Sequence, residues 1–159
     1  MSSIEYTKAL TRLVLENLEF QHDWTQLQMH SHPDLPRDVI FGLPNKRLYI
    51  HPDEQVEIIK AEKDKDEPMV QEPEFEWVLP LHLAEKWTLE GFAALFDALE
   101  ALPPGASLAE QSKGEQSQEQ WKQWRTTKRA KRVLLAVVQD DSTIVYYFIH
   151  NDITKPRQN

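Results

Sequence analysis

The sequence predicts an α+β fold, because helical and β-type patterns occur in separate segments and the chain ends in a β-hairpin. Apolar residues recur at helical spacing within residues 3–18 and 89–99. Near the C-terminus, the β-rich runs Arg132–Gln139 and Thr143–Ile149 flank a short polar turn, which is the pattern of a hairpin. Both runs are apolar at consecutive positions, so we expect both faces of each strand to be covered. For the last strand, a second chain could supply part of that cover.

The chain begins with the pattern of a capped amphipathic helix. Ser2 and Glu5 have the spacing of a capping box. One apolar stripe follows, formed by Tyr6, Leu10, Leu13, Val14 and Leu18. We therefore predict a helix over Ser3–Leu18. Residues His22–His30 show only partial alternation, and there we predict a short edge strand.

The next segment is predicted to form a hairpin or meander followed by a charged loop. The β-prone runs Val39–Phe41 and Leu48–Ile50 are separated by the turn-like residues Gly42–Lys46. Residues 62–76 are rich in charge and are broken by prolines. We expect this loop to be solvated and kept open by its acidic residues.

A buried strand and a second helix are predicted after this loop. Phe75–Leu83 is apolar enough for a buried strand, and Thr88 suits the N-cap of a helix. That helix carries on one face Leu89, Phe92, Phe96 and Leu99. Prolines at 103 and 104 end it, and residues 106–120 have the composition of a flexible insertion. We predict one domain over residues 1–159.

Composition excludes several classes of function. The net charge of −8 opposes general binding of polyanions, and the absence of cysteine excludes disulfides and thiolate metal sites. The four glycines are not spaced as in a nucleotide-binding loop, so we expect no cofactor. No apolar run approaches the roughly 20 residues of a membrane span, and Met1–Glu5 is polar. We therefore expect a soluble, unprocessed protein.

The histidines give little support for metal binding or catalysis. On an extended segment, His30 and His32 would point to the same side, as a pair of metal ligands could. Without a nearby third ligand, this motif is more typical of a polar loop. The other histidines lack a serine or cysteine nucleophile motif. We predict no metal site and no catalytic residue.

A basic segment near the C-terminus has two interpretations. Residues 122–132 are rich in lysine and arginine and lie beside Trp121 and Trp124. Cations next to aromatic rings suit single-stranded RNA, and the chain could then act as an autonomous RNA-binding module. The possible RNA contacts are Trp124, Arg125, Lys128 and Arg129. The alternative, which we favour, is a short solvated helix whose tryptophans pack inward.

The predicted hairpin has the features of a docking edge. Asp140 and Asp141 occupy its turn, where aspartate is common because it tolerates turns and keeps them solvated. The strand that follows, Ile144–Ile149, is unusually apolar. An apolar terminal strand with an anionic turn at its start is suited to pairing with another chain.

The segment Val133–Tyr147 closely resembles the C-terminal hairpin of the Sen-fifteen family, the smallest structural subunit of the eukaryotic tRNA-splicing endonuclease. A weaker likeness extends through Trp77–Leu81, the helix Leu89–Leu99 and the N-terminal helix. The predicted insertion 106–120 and charged loop 62–76 fall outside it. The resemblance thus covers most of the chain.

The resemblance implies a mixed β-sheet flanked by helices, with the catalytic-domain fold of tRNA-intron endonucleases. The implied partners are the catalytic and structural subunits of a heterotetramer that removes introns from precursor tRNA. The chain would meet precursor tRNA only through that complex. The resemblance also implies a nuclear location, or the mitochondrial outer surface in some yeasts.

In related endonucleases, the final strand pairs with its counterpart in a neighbouring subunit, and an acidic hairpin loop enters a basic pocket of the opposing catalytic subunit. The predicted partner-binding residues are therefore Asp140, Asp141, Ile144, Tyr146, Tyr147 and Phe148. Because an unpaired apolar edge also favours pairing between identical copies, we expect the isolated chain to form a homodimer.

The resemblance also implies that this subunit does not cleave RNA. Catalytic subunits of this fold use a tyrosine, a histidine and a lysine, and the histidine begins the strand that corresponds here to Phe75–Leu81. No histidine stands there, since His82 follows the strand, and residues 48–67 lack the tyrosine motif. Only Lys131 or Arg132 matches the lysine. One group of three is insufficient for general acid–base cleavage.

Overall fold

The computed structural model describes residues 3–104, 120–125 and 128–151, and contains three α-helices and five β-strands there. The helices are α1 (Ser3–Glu16), α2 (Pro52–Lys65) and α3 (Leu89–Ala98). The strands are β1 (Thr25–His30), β2 (Val39–Leu43), β3 (Glu76–His82), β4 (Arg132–Val138) and β5 (Ile144–His150). A π-helical turn, Asn17–Gln21, follows α1, and a 3₁₀ helix, Gln120–Arg125, precedes β4. The predicted α+β class is confirmed.

The strands form one mixed sheet in the order β1-β2-β3-β4-β5. β3 and β4 are parallel, whereas the other neighbouring pairs are antiparallel. Parallel neighbours need a long crossover connection, and here that connection includes α3. β1 and β5 are the edges of the sheet in the described part of the chain. The narrower identification with the tRNA-intron-endonuclease fold stays a prediction.

A hydrophobic core lies on each face of the sheet. Where α1 packs, the buried residues are Leu10, Val14, Leu18, Trp24, Ile40, Val78, Leu134, Ala136 and Val138. Where α3 packs, they include Val39, Phe41, Trp77, Leu79, Leu81, Leu95, Phe96, Val133, Leu135 and Val137. All seven residues of β4 are buried, because both its faces are covered. This explains the consecutive apolar residues of that strand.

The N-terminal elements are of the predicted type but differ at their boundaries. α1 ends at Glu16, two residues before the predicted end, and the π-helical turn that follows it buries Leu18. Ser2 of the predicted capping box lies outside the described residues. The predicted edge strand is confirmed as β1, which pairs only with β2 among the described strands.

Two predictions in the middle of the chain were wrong, one about a strand and one about the length of a loop. Leu48–Ile50 is not a strand, because β2 pairs with β1 and β3 instead. The predicted charged loop 62–76 is shorter than expected, since α2 continues to Lys65 and β3 begins at Glu76. Its second half is also less solvated, because Glu74 is 3% exposed.

The sequence prediction missed α2. The Nδ1 of His51 caps this helix by accepting a hydrogen bond from the Asp53 N–H at 3.0 Å. Pro52 in the first turn and lysines in the last turn were the available signals. Only Glu54 and Ile58 are buried, so the helix lacks the apolar stripe that reveals helices in a sequence.

The C-terminal half has the predicted elements, but α3 ends at Ala98, and Leu89, predicted on its apolar face, is 80% exposed. The hydroxyl of Thr88 accepts a hydrogen bond from the Gly91 N–H at 3.1 Å, which confirms the predicted N-cap of α3. β4 and β5 form the predicted hairpin. Of the predicted insertion 106–120, only Gln120 lies among the described residues. None of the described helices is long and apolar enough to cross a membrane.

Candidate functional site

β5 lies at an edge of the sheet, and its one described neighbour is β4. At the turn, the Gln139 N–H donates to the Thr143 carbonyl at 2.8 Å, and at the far end the Asn151 N–H donates to the Lys131 carbonyl at 3.1 Å. Because hydrogen-bonded pairs alternate along an antiparallel ladder, the odd-numbered residues of β5 bond to β4. The backbone groups that point away from β4 therefore include those of Ile144, Tyr146 and Phe148.

The side chains of β5 divide between a covered and an open face. Ile144, Tyr146 and Phe148 are partly buried against the core on the α1 face, where the Tyr146 hydroxyl donates to the Asn17 side-chain oxygen at 2.7 Å. Val145 and Tyr147 point to the opposite face and are 43% and 49% exposed. Of the predicted partner-binding side chains on β5, Tyr147 thus lies at the surface. Val145 was missed, because alternation alone does not tell which face of a strand is covered.

The turn between β4 and β5 presents two carboxylates to solvent. The Asp140 side chain is 96% exposed, and its Oδ1 lies 3.2 Å from the Nε2 of His82. The Oδ1 of Asp141 accepts hydrogen bonds from the Thr143 hydroxyl at 2.6 Å and the Thr143 N–H at 3.1 Å. These hydrogen bonds lower the pKa of Asp141, so this group is ionised at neutral pH. The two predicted partner-binding aspartates therefore form an ordered anionic turn beside the open strand edge.

A cluster of buried charges joins the start of β3 to the start of β4. The Nη2 of Arg132 lies 2.6 Å from Glu76 Oε2 and 2.9 Å from Glu74 Oε2. Arg129 donates a further hydrogen bond to Glu76 Oε1 at 3.2 Å. No side chain of the cluster is more than 7% exposed. This buried ion cluster comprises Arg47, Glu54, Glu74, Glu76, Arg125, Arg129 and Arg132.

Within the buried ion cluster, Arg132 and Glu74 have pKa values shifted toward their charged forms. Burial favours the neutral form of Arg132, but Glu76 and Glu74 outweigh burial and raise the pKa of its guanidinium. Burial also raises the pKa of the Glu74 carboxyl, but the surrounding arginines outweigh it and lower that pKa. Sequence reasoning missed this cluster. The available signal was the placement of glutamates and an arginine at the starts of two otherwise apolar strands.

The basic residues at the start of β4 are engaged within the fold. Arg132 is held by the buried ion cluster as described above. The Nζ of Lys131 donates to the carbonyl oxygen of Phe96 at 2.7 Å, near the C-terminal end of α3. Both candidates for the lysine position named by the resemblance therefore serve internal contacts.

The four predicted RNA-contact residues fall into two groups. Arg125 and Arg129 are 5% and 6% exposed and belong to the buried ion cluster. Lys128 is exposed, and its Nζ lies 5.2 Å from the centre of the Trp124 ring. The Nε1 of Trp124 donates to Glu57 Oε2 at 2.8 Å, which ties the 3₁₀ helix to α2. Trp124 and Lys128 are therefore the members of the set that reach a surface.

A cavity of about 140 Å³ lies beside Trp124. The rings of His51 and Trp124 stack with centroids 4.4 Å apart and an interplanar angle of 18°. The rings of Tyr49 and His150, also in the cavity wall, lie 4.7 Å apart. We call this cavity the aromatic pocket. It is lined by Tyr49, His51, Glu54, Trp124, Lys128, Arg129, Ala130, Arg132 and His150.

The histidine pair considered for metal binding is engaged in other contacts. The His30 ring lies 5.1 Å from the Trp77 ring, and the Nδ1 of His32 accepts a hydrogen bond from the Asp34 N–H at 3.1 Å. Within the described ranges, no group of three or more histidine or acidic side chains is arranged to hold a metal ion.

Comparison with known proteins identifies the family. The family described as Sen15 protein matches residues 13–159. A probable tRNA-splicing endonuclease subunit, tsp-1 of Neurospora crassa, is 58% identical over 159 residues, which are 100% of this chain and 70% of that relative. The tRNA-splicing endonuclease subunit SEN15 of Eremothecium gossypii is 25% identical over 154 residues, covering 94% of this chain and 91% of that relative. The chain therefore belongs to the Sen15 family.

Proposed function

We propose that this chain is a non-catalytic structural subunit of the tRNA-splicing endonuclease heterotetramer. In this role it assembles with a catalytic subunit, positions it and so supports intron removal from precursor tRNA, which it meets only through the complex. The names of its relatives support membership of that enzyme. The observation that carries the assembly role is the open edge of β5 with its exposed apolar residues Val145 and Tyr147.

The edge of β5 supplies affinity. Its outward N–H and C=O groups can pair with a strand of the partner and extend the sheet across the interface. Val145 and Tyr147 then lose part of their contact with water to the side chains of the added strand, which adds apolar burial to the backbone pairing. Ile144, Tyr146 and Phe148 participate mainly through their backbone, because their side chains are partly buried against the α1 core.

The anionic turn supplies specificity. Asp140 and Asp141 are charged, exposed and positioned at the start of β5. Ion pairs across an interface range from roughly 0.2–1 kcal/mol when exposed to roughly 1.5–7 kcal/mol when close and desolvated. The turn therefore contributes strongly where the partner offers a deep basic pocket, and it selects the partner that has one.

The non-catalytic role is supported by the state of the residues at the starts of β3 and β4. Phe75 and Glu76 stand where the resemblance places a catalytic histidine, and both are buried. Arg132 and Lys131 are bound to internal acceptors. General acid–base catalysis needs a group within hydrogen-bond reach of its substrate, and these groups are turned inward.

The assembly role is tested by co-expression with the catalytic and structural subunits, followed by size-exclusion chromatography. Val145→Lys places a charge on the open face of β5 and should abolish co-elution, because lysine on an edge strand blocks pairing. Val56→Lys is the matched control, since Val56 is 55% exposed on α2 and should tolerate the same change. Co-elution of the Val145→Lys chain at wild-type level would contradict the proposed interface.

The role of the anionic turn is tested by reversing its charge. The double substitution Asp140→Lys and Asp141→Lys should weaken binding to the cognate catalytic subunit while the melting temperature stays within a few degrees of wild type. Thr143 keeps its backbone contacts to Gln139 in this variant, so the hairpin should persist. Unchanged affinity would show that the turn does not select the partner.

The nuclear location implied by the resemblance is part of the same proposal, with the mitochondrial outer surface as the alternative for some yeasts. A fluorescent fusion expressed with the other subunits in the source organism separates the two. A diffuse cytosolic signal under these conditions would contradict both.

A further inference from the structure

We propose that the aromatic pocket binds one unpaired nucleotide of an RNA, with the base against its aromatic rings and the phosphate at Lys128. The proposal rests on the proposed function for its source of RNA, which is a precursor tRNA held by the assembled enzyme. It assigns a ligand to a cavity that meets β5 only at His150, the last residue of that strand.

The aromatic walls of the pocket are ordered before any ligand binds. The His51 ring is fixed because its Nδ1 caps α2 through the Asp53 N–H. Trp124 is fixed because its Nε1 donates to Glu57 and its ring stacks on His51. A preorganised stacking surface costs little conformational entropy on binding. Base–aromatic stacking is also tolerant of sequence, since every base has a π-face.

Lys128 is the cation of the pocket that a phosphate can reach. It is exposed at the rim, 5.2 Å from the centre of the Trp124 ring. Arg129 and Arg132 also line the cavity, but they are 6% and 5% exposed and are paired with buried glutamates. The ligand therefore places one phosphate at Lys128, in a charge-assisted contact.

The size of the cavity limits the ligand to a fragment of a larger molecule. Pockets for whole drug-sized ligands measure roughly 300–1,000 Å³, whereas this one measures about 140 Å³. A single base fits a cavity of this size better than a free dinucleotide does. Stacked rings with one accessible cation favour a nucleotide over a phosphorylated peptide, which is typically recognised by several arginines.

Binding by the isolated chain should be weak, because the chain carries a net charge of −8 and offers one phosphate contact. Non-specific nucleic-acid binding by proteins with more contacts has a Kd of roughly 10⁻⁴–10⁻⁶ M at physiological salt. We therefore expect a Kd on the order of 10⁻⁴ M or weaker here. NMR titration of the full-length, ¹⁵N-labelled chain with decauridylate measures affinities in this range.

The first comparison uses two tryptophans in similar surroundings. Trp124→Ala should weaken decauridylate binding about 5- to 140-fold, the equivalent of one lost base stack. Trp87→Ala is the matched control, because Trp87 also stacks on an aromatic ring, that of Phe92 at 5.1 Å, and also has a guanidinium nearby, that of Arg37. Trp87 does not line the pocket, so its removal should change the Kd by less than about twofold.

The second comparison does not depend on a buried contact. Lys128→Ala should make the dependence of log Kd on log salt shallower by about 0.7, the value for one phosphate contact on a single strand. Lys86→Ala, at another exposed position, should leave the slope unchanged. The inference is overturned if decauridylate shifts no pocket resonance, or if Trp124→Ala and Lys128→Ala both bind like wild type. It is equally overturned if a phosphoserine peptide binds in the pocket and RNA does not.

Failure of this inference is distinguishable from failure of the proposed function. The Trp124→Ala and Lys128→Ala chains should still co-elute with the other endonuclease subunits, because neither residue lies on β5. If the wild-type chain co-elutes but RNA shifts none of its pocket resonances, only the pocket assignment is contradicted. If RNA shifts the pocket resonances but the chain does not co-elute with the other subunits, the structural-subunit role is contradicted. The chain would then be an autonomous RNA-binding module.

Discussion

Replacing Glu76 by glutamine tests whether the buried ion cluster is required for the fold. Glu76 is 0% exposed and accepts hydrogen bonds from Arg132 at 2.6 and 2.9 Å and from Arg129 at 3.2 Å. Glutamine keeps the shape of the side chain but removes its charge, and it leaves a buried guanidinium with less compensation. Breaking a buried ion pair in this way costs roughly 3–5 kcal/mol.

That loss is large compared with the total stability of a domain, which is roughly 5–15 kcal/mol. With a urea m-value of about 2 kcal/mol/M, the unfolding midpoint of the Glu76→Gln chain should fall by about 1.5–2.5 M. Circular dichroism during urea unfolding measures this shift. The matched control is Glu67→Gln, because Glu67 is exposed and its neutralisation should change stability by less than about 0.5 kcal/mol.

A double substitution separates charge compensation from packing. In a chain that carries both Glu76→Gln and Arg132→Met, the loss of unfolding free energy should be smaller than the sum of the losses in the two single variants. The reason is that the Arg132 charge is no longer left opposite the glutamine. If Glu76→Gln alone lowers the midpoint no more than Glu67→Gln does, the argument that these ion pairs hold the starts of β3 and β4 is refuted.

Three further predictions concern acid stability, helix capping and self-association. The pKa of Glu74 is lower in the folded chain than in the unfolded chain, so its contribution to stability is present above the unfolded value of about 4.3 and is lost as pH falls through the folded value. Urea midpoints measured between pH 7 and 3 should therefore decrease below about pH 4.3. A constant midpoint would contradict this. Thr88→Ala removes the N-cap of α3 and should cost about 1 kcal/mol in thermal unfolding, whereas Thr88→Ser should cost less. The isolated chain should be a dimer by light scattering at high concentration, and Val145→Lys should make it monomeric; a monomeric wild type would refute self-association through β5.

Local sequence patterns predicted the elements whose buried residues recur at regular spacing or form a continuous run. α1 and α3 each bury one stripe, and β4 is covered on both faces, so the sequence shows helical spacing and a continuous apolar run. α2 buries only Glu54 and Ile58, and its burial therefore leaves no periodic trace. Leu48–Ile50 shows the opposite error, because β-prone residues form a strand only where a neighbouring strand is free to pair with them.

The candidate sites were predictable in part. The anionic turn and the apolar β5 are contiguous in sequence, so their juxtaposition follows from the hairpin alone. The buried ion cluster and the aromatic pocket are not contiguous in sequence; in the cluster, for example, Arg47, Glu74 and Arg132 come from distant segments of the chain. Charged residues in a sequence indicate solvent exposure unless their partners are known, and partners distant in the chain are not visible to local patterns.

The central claim, that the chain assembles by extending its sheet at β5, is most directly tested by amide hydrogen exchange. The isolated chain, at a concentration where light scattering shows a monomer, is compared with the assembled complex. The amides of Val145 and Tyr147 bond to β4 and should be protected in both states. Those of Ile144, Tyr146 and Phe148 point away from β4 and should gain protection only in the complex, which gives an alternating pattern along the strand. If assembly leaves the exchange of these three amides unchanged, the partner does not pair with β5 and the account is contradicted.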